Sequence, residues 1–176
     1  MRIVAFLVTA ALLGSLFSAS AAELSFSEQA TVLQGAHKLQ EATLRSDART
    51  VADLTSPLIA RLGVPVEAIQ SMTQAAMKQF AAMGLLIDRS EFGTPGSVYA
   101  ANGVEACFIP YRHEIHTATR RGRSIGYLIA LRDRPDTEWK FLDSAMFRSR
   151  PELLGRLLPG LPSDAKIPDN RNEFDD

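Results

Sequence analysis

The chain has 176 residues, 19 basic against 20 acidic, three histidines and one cysteine, a length that suits one domain around one core. A formal charge of −1 offers no electrostatic footprint for nucleic acid, whose binding draws on clustered Lys and Arg. A single Cys closes no internal disulfide, and no second Cys or His pair at zinc spacing accompanies it to hold a structural metal.

The N-terminus carries the first readable element. Met1-Arg2 supplies one positive charge, Ile3 to Phe17 runs almost without polar groups, and Ser18-Ala19-Ser20-Ala21 is small at every position. That is the layout of a secretory signal, with removal after Ala21. The apolar stretch, about 15 residues, is shorter than the roughly 20 needed to span a bilayer. The expected organisation is a signal peptide over residues 1–21, a single α+β domain over 22–168 and a flexible tail over 169–176. The protein is then periplasmic or secreted, with no membrane span once the signal is gone.

Helices come next. Ser25 with Glu28 three residues on reads as a capping box, and Ala30, Leu33, Ala36, Leu39 and Leu44 recur at helical spacing over 27–46. Val51, Leu54, Leu58, Ile59 and Leu62 predict a shorter helix around Pro57, ended by Gly63. Pro65 opens a third, where its missing N–H costs nothing. Val66, Ile69, Met72, Ala76, Phe80 and Met83 form its apolar stripe, which reads as core.

From Leu85 the pattern switches to strands. Residues 85–92 read as the first, Gly93-Thr94-Pro95-Gly96 as a turn, 97–101 as the second and Asn102-Gly103 as a hairpin turn. Residues 105–119 form a long strand in which Pro110 marks a bulge or an edge. Arg120-Arg121-Gly122-Arg123 is a solvated hairpin tip, 124–132 an apolar return strand and 138–143 the last strand. Cys107 falls in an apolar run and reads as a buried, inert thiol. Helices followed by an antiparallel meander define an α+β fold, with N-terminal helices on one face of a curved antiparallel sheet.

Trp139-Lys140-Phe141-Leu142-Asp143, Leu153-Leu154, Leu157-Leu158-Pro159-Gly160-Leu161-Pro162 and Lys166-Ile167-Pro168 resemble the C-terminal part of a group of exported bacterial proteins. Phe108-Ile109-Pro110-Tyr111 fits the same group. The group is similar to the nuclear transport factor 2-like superfamily, and this resemblance implies a cone-like fold with a pocket between helices and sheet. That superfamily hosts isomerases, dehydratases and non-enzymatic binding modules, so the fold alone selects none of them.

Alternation along the long strand puts Cys107, Ile109, Tyr111, His113 and Ile115 on one face. In a cone fold, Tyr111, His113, Tyr127 and Trp139 line the pocket as ligand-binding residues. His113 and Tyr111 are the candidate catalytic pair, because His titrates near neutrality and a Tyr hydroxyl polarises a carbonyl. His113 and His116 are three apart and point to opposite faces, which argues against a shared metal. A ketosteroid-isomerase-like site needs an acidic base facing the cavity, and the spacing of Asp88 and Asp143, both at strand ends, singles out neither. The leading expectation is a non-catalytic exported protein, without cofactor, that binds a small apolar molecule or an envelope partner's peptide. The alternatives are an acid–base enzyme of isomerase or hydro-lyase type and a structural or interaction module. An exposed apolar sheet face, with Phe108 as its marker, would favour a homodimer.

Overall fold

A computed structural model describes residues 21–133 and 137–175. The signal segment expected over residues 1–21 lies outside the described residues except for Ala21. Helix α1 spans Phe26–Leu44, α2 Ala48–Leu54, α3 Ile69–Ala82 and α4 Glu152–Leu157. Strands β1 Leu86–Phe92, β2 Val98–Ala101, β3 Val104–His116, β4 Arg121–Arg132, β5 Lys140–Asp143 and β6 Arg171–Phe174 make one open antiparallel sheet. The protein is therefore α+β.

The long hairpin β3–β4 is the spine of the sheet, in unbroken register from Glu105↔Arg132 to His116↔Arg121. One outer edge of this hairpin carries β2 at Val104–Cys107 and β1 at Tyr111–His116. The other carries β5 at Leu128–Leu131 and β6 at Gly122–Ile125. Asn102 and Gly103, both at positive φ, make the tight turn from β2 into β3. Pro110 interrupts nothing. The carbonyls of Phe108 and Pro110 accept from Gly96 and Gly93, so the even residues of β3 point their hydrogen-bonding groups toward the 93–97 loop. The missing N–H of Pro110 thus falls in the gap between β1 and β2, a local edge. The only register shift along the β1–β3 pair lies in β1, between Ile87 and Arg89.

Both faces of the sheet are covered. On one, Val32 and Ala36 of α1 pack with Cys107, Ile109, Leu128, Ala130 and Phe141. Gly35 permits that approach, since a Cβ there would lie 2.6 Å from Phe141 Cζ. On the other, Leu153, Leu154 and Leu157 of α4 cover Phe108, Tyr127, Ile129 and Leu131, joined by Leu58, Ile59 and Leu62 of a 3-10 turn over Pro57–Leu62. The expectation that helices seal a single face missed this second layer, which the chain builds from short apolar pieces. Phe108, expected to mark an open face, is 1% exposed beneath α4.

Two further expectations differ from the structure. The Met and Phe stripe of α3 is not core: Met72, Phe80 and Met83 are about half exposed, and only Ile69 of the helix is buried. The helix packs on α2, and α2 on α1, so its apolar side overhangs the sheet instead of meeting it. Residues 169–176, expected as a flexible tail, supply β6. The free edge of β4 at Gly122–Ile125 receives it, and Arg120 lies over the Phe174 ring at 5.1 Å from its centroid.

Candidate functional site

Because α3 stands off the sheet, a partly open cavity of about 640 Å³ lies beneath it. Its floor crosses the sheet from Ile87 and Phe92 of β1, over Tyr111, His113 and Ile115 of β3, to Ser124 and Leu128 of β4 and Asn172 of β6. Its roof is the C-terminal half of α1, through Leu39 and Leu44, and α3, through Met77 and Phe80. The β1–α3 side is apolar. Charge is confined to the opposite side, where Asp143 closes β5 and Arg148 follows the short 3-10 helix Ser144–Phe147.

Small residues alternate along β4 here. Ser124 and Gly126 stand opposite His113 and Tyr111, while Gly122, opposite Ile115, makes room for β6, since a Cβ there would lie 2.3 Å from Glu173 O. A Cβ at Gly126 would stand 2.6 Å from Tyr111 Cζ and Oη and 2.7 Å from Ser144 Oγ. Gly126 therefore lets the Tyr111 ring lie across β4, so that its hydroxyl donates to Asp143 Oδ1 on the next strand at 2.8 Å. The backbone N–H of Ala145 donates to the same oxygen, also at 2.8 Å. His113 stacks on Tyr111 with ring centroids 4.1 Å apart and 14° between planes. Its Nδ1 is hydrogen-bonded to the Ser90 hydroxyl, and Phe92 meets its ring edge-on.

These surroundings set the protonation states. Burial, then the negative charge of Asp143 and the hydrogen bond to it, push the Tyr111 hydroxyl well above the ordinary phenol value. Burial lowers His113 below its ordinary value, and the Asp143 charge offsets part of that. At neutral pH the site therefore holds a neutral imidazole and a neutral phenol beside Asp143. Arg148 Nε donates to Asn170 Oδ1 at 3.1 Å and its Nη2 to Ser124 Oγ at 3.2 Å.

Of the four residues expected to line a pocket, the structure brings Tyr111 and His113 together in this cavity. Tyr127 and Trp139 lie elsewhere. Tyr127 pairs with Pro110, one step from Tyr111, so its ring points to the other face, where it meets Phe108 edge-on at 5.5 Å. Alternation within β4 was readable from sequence, but its register against β3 was not. Trp139 is buried near the far end of the sheet, with the Arg132 guanidinium over its ring at 4.3 Å. His116 points away from His113 and pairs with Asp88 at 2.7 Å.

Sequence reasoning named Asp143 beside Asp88 without choosing between them, and missed Arg148 and the pentapeptide Gly122-Arg123-Ser124-Ile125-Gly126. The last has the Gly-x-Ser-x-Gly pattern of a hydrolase nucleophile elbow, which requires a sharp strand-to-helix turn. Here it runs straight through β4, and its Ser124 hydroxyl accepts from Arg148, so its role is to clear space. Two glycines flanking a serine at period two were the available signal for a strand crossed closely by its neighbours, β6 at Gly122 and the Tyr111 ring at Gly126. Asp143 and Arg148 had no such signal, because the bend after β5 brings them to the cavity.

Among the described residues, no group of three or more His, Cys, Asp or Glu side chains is arranged to hold a metal ion, and no helix is long and apolar enough to cross a membrane. The chain matches no family model, no curated protein and no solved structure.

Proposed function

We propose that this is an exported binding protein that holds a small, largely apolar molecule in the cavity between α1, α3 and the sheet. The observation that carries this reading is the cavity itself. Its volume of about 640 Å³ falls in the range of roughly 300–1,000 Å³ typical of small-molecule sites. Its walls are mostly apolar with a few convergent polar groups, the composition expected of such sites. The half-exposed Phe80 and Leu44 at its roof are large apolar side chains, and a ligand would cover them. Export is supported by the charged, apolar and small-residue succession at the N-terminus. The resemblance to nuclear transport factor 2-like proteins supports the same kind of pocket. The protein purified from its native host, extracted with organic solvent and analysed by mass spectrometry, is expected to yield one predominant small molecule in stoichiometric amount. An empty protein that also fails to bind a panel of apolar dyes would overturn the reading.

A second reading, an acid–base enzyme of isomerase or hydro-lyase type, has its own observation in favour. Tyr111, Asp143 and His113 share one apolar site, and the carboxylate that such chemistry needs as a base faces the cavity. Replacing His113 with Ala separates the two. Ligand binding retained, with any turnover of the bound molecule unchanged, removes the enzyme.

A further inference from the structure

We infer that the cavity's ligand is an amphiphile with an anionic head, seated with that head on Arg148 and its apolar body under α3. The inference rests on the reading of the cavity as a small-molecule site and adds the chemistry of what it holds. The charged end of the cavity contains one guanidinium and one carboxylate. Asp143 is engaged, since Oδ1 accepts from both the Tyr111 hydroxyl and the Ala145 backbone N–H. Both partners of Asp143 are neutral, and so are those of Arg148, but Arg148 also keeps an Nη1 undonated among the described residues. Its two hydrogen bonds go to neutral oxygens, on Ser124 and Asn170, which aim the guanidinium without neutralising it.

No acidic side chain among the described residues forms an ion pair with Arg148, and its Nη1 makes no hydrogen bond among them. A guanidinium fixed through Nε and Nη2, facing a cavity without a direct ion pair and with Nη1 still to donate, is a receptor for a carboxylate or similar oxyanion. The opposite end supplies the complement. Across the sheet from Arg148, the wall is Phe92 and Ile87 below, Met77 and Phe80 above. Gln40, Thr43 and Ser46 also line the cavity but are uncharged, so a molecule filling the whole space carries charge at one end only. The flexible thioether of Met77 and the overhang of α3 suit an alkyl chain of variable shape better than a rigid polar scaffold.

The test compares three probes with one alkyl chain and different heads: dodecanoate, dodecanol and dodecylamine, titrated calorimetrically into the purified protein below their micellar concentrations. Dodecanoate is expected to bind roughly tenfold to a hundredfold more tightly than dodecanol, the worth of a hydrogen-bonded charge. The preference should shrink as salt is added, because the cavity is partly open. Arg148→Gln should bring dodecanoate down to the affinity of dodecanol while leaving dodecanol unchanged, and Arg148→Lys should keep part of the difference. Equal affinities for the acid and the alcohol, or tightest binding of the amine, overturn the anionic head yet leave the cavity reading standing. Binding of none of the three overturns the cavity reading and the inference with it. If circular dichroism shows Arg148→Gln unfolded, the ranking of the three probes on the unmodified protein and on Arg148→Lys decides.

Discussion

Gly126 and His113 show how single side chains hold the site. With no Cβ to block it, the Tyr111 ring crosses β4 and reaches Asp143. Gly126→Ala puts a methyl into the space of the ring and of Ser144 Oγ, an overpacking of about 1–3 kcal/mol in denaturant unfolding. It should also weaken ligand binding by displacing Tyr111. Unchanged stability would mean that the ring has another way to lie. His113 contributes a pH dependence. Its folded value lies below the unfolded value of about 6.5, so the unfolded chain binds more protons as pH falls through that region. The stability from keeping a neutral imidazole buried is complete above about 6.5 and is lost as pH falls toward the lowered folded value. Glu28 and Asp47, whose carboxyls are held below their ordinary values by hydrogen bonds from Ser25 and Thr50, act only at more acidic pH. Unfolding midpoints should therefore drop between pH 7 and 5 in the unmodified protein and drop less in His113→Asn; equal drops would remove His113 as the cause.

The elements themselves were largely written in the sequence. The Ser25–Glu28 capping box starts α1, and Asn102-Gly103 turns β2 into β3. The ends of β1 and β2 fall where glycines punctuate the chain, whereas the β3–β4 turn lies at 117–120 without Gly or Pro, and Arg121-Gly122-Arg123, expected in a hairpin tip, begin β4. What the sequence did not carry was which apolar surface meets which. The stripe of α3 has the spacing of a core helix, yet the helix rests on α2 and overhangs the cavity. Periodicity reports that a helix has an apolar side, not whether protein or ligand covers it. The two cases differ measurably. Met72→Gln and Met83→Gln on the half-exposed helix should change stability by no more than about 0.5 kcal/mol. Phe108→Ala, in the closed layer under α4, should cost about 3–5 kcal/mol. A comparable cost for the methionines would place α3 in the core after all. Half of the site was legible for the same reason. Tyr111 and His113 follow from alternation within one strand, whereas Asp143 and Arg148 depend on strand register and on a bend that no local pattern encodes.

At the scale of the whole molecule, two apolar layers share one sheet, and the layer under α1 and α3 leaves the cavity of about 640 Å³ unfilled. The side under α4 buries Phe108, Phe147, Leu157 and Leu158 almost completely, while the cavity side depends on a helix anchored through another helix. Binding should therefore raise the unfolding temperature, and the rise should continue with the logarithm of ligand concentration beyond saturation, as for any ligand selective for the folded state.

Cys107 turns that coupling into something that can be timed. The thiol has no exposed surface, lies in the layer under α1 beside Val98 of β2, donates weakly to the Gly96 carbonyl at 3.3 Å and is pushed up to about 12 by burial. In its resting state it offers an alkylating reagent neither access nor thiolate. Maleimide uptake should thus run as a stopwatch on breathing of the β2 edge, slow in buffer, faster in sub-denaturing urea and slower again when the cavity is filled. Rapid uptake by the resting protein would show that the four-residue β2 peels away on its own, without the rest of the sheet opening.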